Sequence, residues 1–189
     1  MKVVCLYGSP RLEGSSATIA NHFLECAGSH GATVQTFALH RLDYCGCTSC
    51  SACKKQLDRC IINDGLAPVL DSLYEAEVVV MATPIYFDGV NSKIIAFMER
   101  ACSYFKADWV ESQEDCRLTW GKKLVFIITQ GQPENVGRDI FGRFEEVLEQ
   151  LGFKERHLIR ACGVNEPEDI QRREDVLELT EEIARKTFM

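Results

Sequence analysis

A chain of 189 residues, 46% hydrophobic and 26% charged, can bury one sizeable core and reads as one domain spanning residues 1–189. Its net charge of −7 and the lack of any long basic run exclude a phosphate-neutralising nucleic-acid surface, and no apolar run approaches membrane-spanning length. The apolar stretch from Val3 to Tyr7 is too short for the core of a signal peptide, so a cytoplasmic location is expected.

Apolar runs alternate with helical patterns along the chain. Residues 2–8 form a continuous apolar run, the pattern of a central parallel strand, and a helix is expected over 15–29, ended near Gly28–Gly31. Residues 32–39 alternate, with Val34, Thr36 and Ala38 set against Thr33, Gln35 and Phe37, and predict a more exposed second strand. A cysteine-rich loop over 45–64 comes next. Helical spacing over 66–76 leads into a buried strand over 77–83, then a helix over 92–104. The stretch 107–121 is the least regular, with two tryptophans and several acids, and reads as a long loop over the sheet edge or the site. A fourth strand at 123–130, a helix at 141–151 closed by Gly152, a last strand at 154–161 and a charged amphipathic helix at 169–187 complete the series. Strands separated by helices in this rhythm predict an α/β fold, a doubly wound five-stranded parallel sheet.

In such sheets ligands bind at the carboxyl ends of the strands, where the strand order reverses. Three loops fall at that edge. Gly8-Ser9-Pro10-Arg11, followed by Gly14, Ser15, Ser16 and Thr18, offers hydroxyls, a cation and backbone N–H groups at a helix start, a setting that suits a terminal phosphate. It is neither a GxGxxG nor a Walker loop, and a plain turn with Ser15 or Ser16 capping the helix is the competing reading. Thr83-Pro84-Ile85-Tyr86-Phe87-Asp88-Gly89 brings aromatic side chains to a strand end, a flat surface for a planar ring or else a hydrophobic turn. Thr129-Gln130-Gly131-Gln132 is small and polar after a buried strand. Convergence of three such loops on one crevice makes the site credible.

Ten cysteines without a secretion signal point to metal ligands before disulfides. Cys47-Thr48-Ser49-Cys50-Ser51-Ala52-Cys53, closed by Cys60, puts four thiols into fourteen residues. Successive Cys-x-x-Cys steps of this kind let one segment present several thiolates to one iron–sulfur core. Cys53 and Cys60 are too far apart for a second zinc knuckle, and the two-cluster ferredoxin spacing with a proline after its fourth cysteine is absent. A single [4Fe-4S] cluster, a structural zinc and inert cysteines remain open. Cys5, Cys26, Cys102, Cys116 and Cys162 are scattered beside apolar residues and read as small buried hydrophobes, with Cys45 ambiguous beside the cluster. His22, His30, His40 and His157 show no metal spacing, and Glu145-Glu146 and Glu181-Glu182 read as solvated helix faces. No side chain is expected to serve as a catalytic acid or base.

Gly8-Ser9-Pro10-Arg11, Pro84-Ile85-Tyr86-Phe87 and the segment from Lys93 to Arg100 resemble the NADPH-dependent FMN reductase branch of the flavodoxin-like flavoproteins. With Cys47, Cys50, Cys53 and Cys60 added, the chain is similar to the iron–sulfur flavoproteins in particular. The resemblance runs from Lys2 to about Gly163 and implies a flavodoxin-like strand order, 2-1-3-4-5, with the cysteine loop after strand 2. It further implies that Ser9, Pro10, Arg11, Ser15, Ser16 and Thr18 hold the phosphate of FMN. Pro84, Ile85, Tyr86, Phe87, Asp88 and Gly89 would contact the isoalloxazine ring, with Thr129, Gln130 and Gly131 bordering it. Two departures stand out: Gly14-Ser15-Ser16 replaces the usual Gly-Asn-Thr, keeping hydroxyl donors, and Asn63-Asp64 replaces the usual Asp-Asp after the fourth cysteine.

The expected function is electron transfer between a reduced donor, NAD(P)H among the candidates, and a small-molecule or protein acceptor, through FMN and a [4Fe-4S] cluster. The protein sets binding, orientation and potential while the cofactors carry the chemistry. An NAD(P)H-dependent reductase of free flavin, quinone or another small oxidant with inert cysteines is one alternative, and a zinc-stabilised flavodoxin-like binding domain is another. The resemblance also implies a homo-oligomer, a dimer or tetramer.

Overall fold

A computed structural model describes residues 1–107 and 116–189. The expected strands form as β1 (Lys2–Tyr7), β2 (Thr33–Ala38), β3 (Val78–Tyr86), β5 (Lys122–Gln130) and β6 (Phe153–Cys162), with a short β4 (Gly89–Val90) added after β3. The helices are α1 (Ser15–Ser29), α2 (Ala52–Lys55), α3 (Ala67–Glu75), α4 (Ser92–Ala101), α5 (Gly142–Gln150), α6 (Pro167–Gln171) and α7 (Glu174–Phe188).

The strands lie in the order β2-β1-β3-β5-β6, every neighbouring pair parallel. Among the five long strands this is the expected order; β4 is the unexpected sixth, antiparallel to the end of β3 through Ile85↔Val90 and Tyr86↔Gly89. Strand order reverses between β1 and β3, and the crevice of a doubly wound sheet opens at that point.

Alternation along each strand builds two cores. Val4, Leu6, Val79, Met81, Leu124 and Phe126 face α3, α4 and α5, meeting Leu73, Phe97 and Leu148. Val3, Cys5, Val78, Val80, Val125 and Ile127 face the other way, onto Ile19 and Phe23 of α1 and Ile183 of α7. The inner strands are apolar on both sides because both of their faces are covered. β2 is an edge strand and mostly exposed, as its alternation predicts.

Three local expectations are corrected. The 92–104 helix stops as an α-helix at Ala101, and Cys102–Tyr104 tightens into a 3₁₀ turn. The terminal 169–187 helix is two helices: Glu166 and Asp169 form a reciprocal capping box that starts α6 at Pro167, and the chain bends at Arg172–Arg173 before α7. β3 continues through Pro84 to Tyr86, so the second ligand loop is a tight hairpin rather than a loop beginning at Thr83. Of the irregular 107–121 stretch, 108–115 lie outside the described residues, and Cys116 forms an isolated bridge with Phe105. Among the described residues no helix is long and apolar enough to cross a membrane.

Candidate functional site

The first loop is shaped by close approach of backbone to sheet and helix. Gly8 donates its N–H to the Ala82 carbonyl at 2.8 Å, and a Cβ there would lie 2.7 Å from Cγ1 of Ile94 and 3.2 Å from that carbonyl. The Arg11 N–H then bonds Ser9 Oγ (3.1 Å) and the Gly14 N–H bonds the Arg11 carbonyl (3.1 Å), turning the chain into α1. The N-cap of α1 is Gly14, in extended conformation, with no side-chain cap and no acid in the first turn. Serine capping of α1 is therefore not what the loop does: Ser15 Oγ instead donates to the Glu166 carbonyl at 3.1 Å. An uncapped helix start with its positive dipole end unneutralised, beside the buried hydroxyls of Ser9, Ser15 and Ser16, has the chemistry of an anion site.

One cleft gathers Ser9, Arg11, Ser15 and Ser16 from the first loop, Pro84, Ile85 and Tyr86 from the second, and Thr129, Gln130 and Gly131 from the third. The register explains the meeting, since Tyr7 pairs with Ala82, Pro84 with Thr129 and Gln130 with Cys162, ending these strands at one edge. The cleft has a fourth wall that the sequence reading missed, Val164 and Asn165 after β6. Arg11 Nη2 donates to the Asn165 carbonyl (3.3 Å), and a Cβ on Gly131 would collide with the Asn165 side-chain oxygen. The available signal was a short polar run after a strand, the same signal used for the other loops. Gln130 spends its amide on the Gln132, Pro133 and Val136 carbonyls at 3.0–3.3 Å, so it holds the third loop's continuation in shape.

Five expected residues do not line this cleft. Pro10 is exposed on the first loop. Thr18 turns its hydroxyl back to the Gly14 carbonyl (3.2 Å) and borders a separate groove between α1 and α6. Phe87, Asp88 and Gly89 sit at and after the hairpin tip. Phe87 and Asp88 have φ of 48° and 55°, and Phe87 is fully exposed. A bulky residue in the left-handed region is a strained one, and it follows directly on Tyr86, which does line the cleft.

The cysteine loop packs against α4. Cys47, Cys50, Cys53 and Cys60 all line one small apolar hollow of about 20 Å³, together with Arg100 and Cys102. Ser49 and Ser51, at φ of 55° and 58°, alternate with these thiols and give the loop its sharp winding. Arg100, on the last turn of α4, is 1% exposed and pins both arms of the loop. Its Nη1 donates to the Cys45 carbonyl (3.2 Å) and Asp64 (2.8 Å), its Nη2 to the Ile62 carbonyl (2.9 Å) and Asp64 (3.2 Å), and its Nε to Cys60 Sγ (3.1 Å). Burial works against the charge on Asp64, but the hydrogen bonds from Arg100 and from the Leu66 and Cys45 backbone, together with the guanidinium charge, outweigh it and hold the carboxyl below its ordinary pKa. Asp64 also bonds the Leu66 N–H (3.0 Å) just before α3, which gives the Asn63-Asp64 pair its consequence: the second position does the work. Cys45 contributes its carbonyl to this clamp. Elsewhere, burial pushes the Cys5 thiol up to about 12, against a hydrogen bond from Tyr7, and burial likewise raises Cys116 and Cys162.

The family model described as NADPH-dependent FMN reductase matches residues 1–137. The chain belongs to this family. Two curated relatives, both iron-sulfur flavoproteins of Methanocaldococcus jannaschii, are 29% identical over 101 residues and 33% identical over 100 residues; each match covers 53% of this chain. The matches span about half the length of those relatives, 52% and 50%. Among solved structures, an FMN-dependent NADH-azoreductase from Bacillus anthracis in complex with FMN superposes with a TM-score of 0.73 at 16% identity, covering 100% of this chain and 99% of that one. At that identity the likeness concerns the flavodoxin-like fold.

The residues of this FMN reductase family member fit FMN on two observations: an uncapped 15-residue helix with buried hydroxyls around its start, and a half-exposed aromatic, Tyr86, lining the same cleft. Arg11 meets Glu166 at 3.3 Å with both side chains more than half exposed, a weak pair that a phosphate can displace. For an iron–sulfur cluster the donor chemistry fits, since four thiols line one apolar hollow with a guanidinium N–H directed at one sulfur. They are not drawn together, however: among the described residues no three His, Cys, Asp or Glu side chains form a metal-holding group.

Proposed function

We propose that this chain is an FMN-dependent oxidoreductase that passes electrons from a reduced donor such as NAD(P)H to a small-molecule or protein acceptor, with the 45–64 loop carrying a [4Fe-4S] cluster. FMN supplies the ability to exchange electrons in pairs or singly, and a cluster exchanges one at a time. The chain's own contribution is to bind and orient. The N–H groups at the start of α1 and the hydroxyls of Ser9, Ser15 and Ser16 suit a phosphate dianion, with Arg11 available from the rim. Tyr86 and Phe87 suit one edge of a planar ring, and the buried Thr129 and the Gly131 backbone suit another.

The observation that carries this reading is the start of α1, where a glycine N-cap, an acid-free first turn and buried hydroxyls meet in one cleft. Titration of cofactor-free protein with FMN and with riboflavin, followed by flavin fluorescence, tests it. Phosphate recognition predicts at least about tenfold tighter binding of FMN, or about 1.4 kcal/mol. Equal affinities contradict the phosphate site.

The absence of a gathered ligand set among the described residues favours a second reading, an NAD(P)H-dependent flavin or quinone reductase with non-ligating cysteines. It counts equally against structural zinc, which needs a closed tetrahedron. The relatives named iron-sulfur flavoprotein and the shared hollow support the cluster. The family resemblance also supports a dimeric or tetrameric assembly.

A further inference from the structure

Among the described residues, Cys102 is the one cysteine from outside the 45–64 loop that lines the thiol-lined hollow. The sequence reading grouped it with the scattered, buried cysteines, yet it is only half-buried, unlike Cys5, Cys116 and Cys162. Its position follows from how α4 ends. The helix stops at Ala101, and the 3₁₀ turn Cys102–Tyr104 swings residue 102 toward the cysteine loop.

Two cations then stitch that turn to Cys53. Lys54 Nζ donates to the carbonyls of Cys102 (2.6 Å) and Phe105 (2.5 Å). Arg117 donates through Nη2 to the Cys53 carbonyl (3.0 Å) and through Nη1 to the Ser103 and Phe105 carbonyls, both at 2.7 Å. The backbone at 53–54 and the backbone at 102–105 are thus fixed side by side.

We infer that Cys102 is a fifth thiol of the cysteine site, interchangeable with Cys53 as a ligand to iron. This rests on the cluster reading given above and deepens it. The site then has a redundant corner: Cys47, Cys50 and Cys60 are each required, and either Cys53 or Cys102 completes the set. A thiol carried by α4 and its adjoining turn also differs in kind from the rest, because it ties the bound metal to the sheet-packed body of the protein and not to the loop alone.

The test is anaerobic reconstitution with ferrous iron and sulfide, reading iron per chain and visible absorption. It compares the wild type with Cys50→Ser, Cys53→Ser, Cys102→Ser and the Cys53→Ser/Cys102→Ser double variant, each first shown by circular dichroism to be folded. The inference predicts that Cys53→Ser and Cys102→Ser each keep wild-type iron, whereas Cys50→Ser and the double variant lose it. Loss of iron from Cys53→Ser alone, or its retention by the double variant, overturns the inference and leaves the cluster reading standing. A wild type that takes up no iron overturns both. If serine at either position prevents folding, the corresponding alanine variants give the same comparison.

Discussion

Arg100 concentrates the chemistry of the cysteine loop in one side chain. A guanidinium at 1% exposure is tolerable only where its donors are used, and it reaches Asp64, the Cys45 and Ile62 carbonyls and Cys60 Sγ. Replacing it by methionine keeps apolar bulk but strands Asp64 and two carbonyls, so Arg100→Met should cost about 3 kcal/mol or more at neutral pH in chemical denaturation. The pH dependence has a definite sign. Asp64 has a depressed pKa in the folded protein, so the pair's contribution is complete above the ordinary carboxylate value of about 4 and disappears as pH falls through the depressed one. The stability gap between wild type and Arg100→Met should therefore shrink on acidification toward pH 3. A gap that holds constant with pH would contradict the ion pair as its source.

At the scale of elements, the β1–α1 turn and the end of β3 set the cleft, and both depend on local backbone requirements. Gly8 lies between Ile94 of α4 and the Ala82 carbonyl with no room for a Cβ. Gly8→Ala should destabilise by about 1–3 kcal/mol, seen as a thermal midpoint lowered by roughly 2–10 °C, and weaken flavin binding as the loop shifts. An unchanged midpoint would mean that Ile94 yields freely. Elements whose cause is short-range were legible: α1 and the five long strands follow from periodicity and from glycine punctuation. β4 escaped because its turn runs through Phe87 and Asp88 in left-handed conformation, and sequence pattern assigns the first of these places to glycine, asparagine or aspartate and not to phenylalanine. The α6–α7 break escaped because the amphipathic pattern continues across Arg172–Arg173, while the capping box at Glu166 and Asp169 sets a separate start. The cysteines themselves were legible from spacing. Their clamps were not, because Arg100, Lys54 and Arg117 act mainly on backbone carbonyls distant in sequence, which leave no spacing signature.

For the whole molecule, α4 links the two candidate sites. Its N-cap, Asn91, follows directly on β4 and the hairpin at the cleft rim, and its last turn carries Arg100 at the cysteine hollow. Ten residues of helix span about 15 Å, so one rigid element sets the distance between the candidate cleft and the thiols. The membership of the FMN reductase family and the three loops at the switch point account for the cleft, and the cysteine loop is an addition between β2 and α3 that leaves the sheet order unchanged. The most direct test of this account is an absorption spectrum of protein purified without oxygen, recorded before and after chemical reduction. It predicts a structured flavin band over a broad sulfur-to-iron absorption, both bleaching on reduction; a folded protein that shows no flavin band even after incubation with FMN would contradict it.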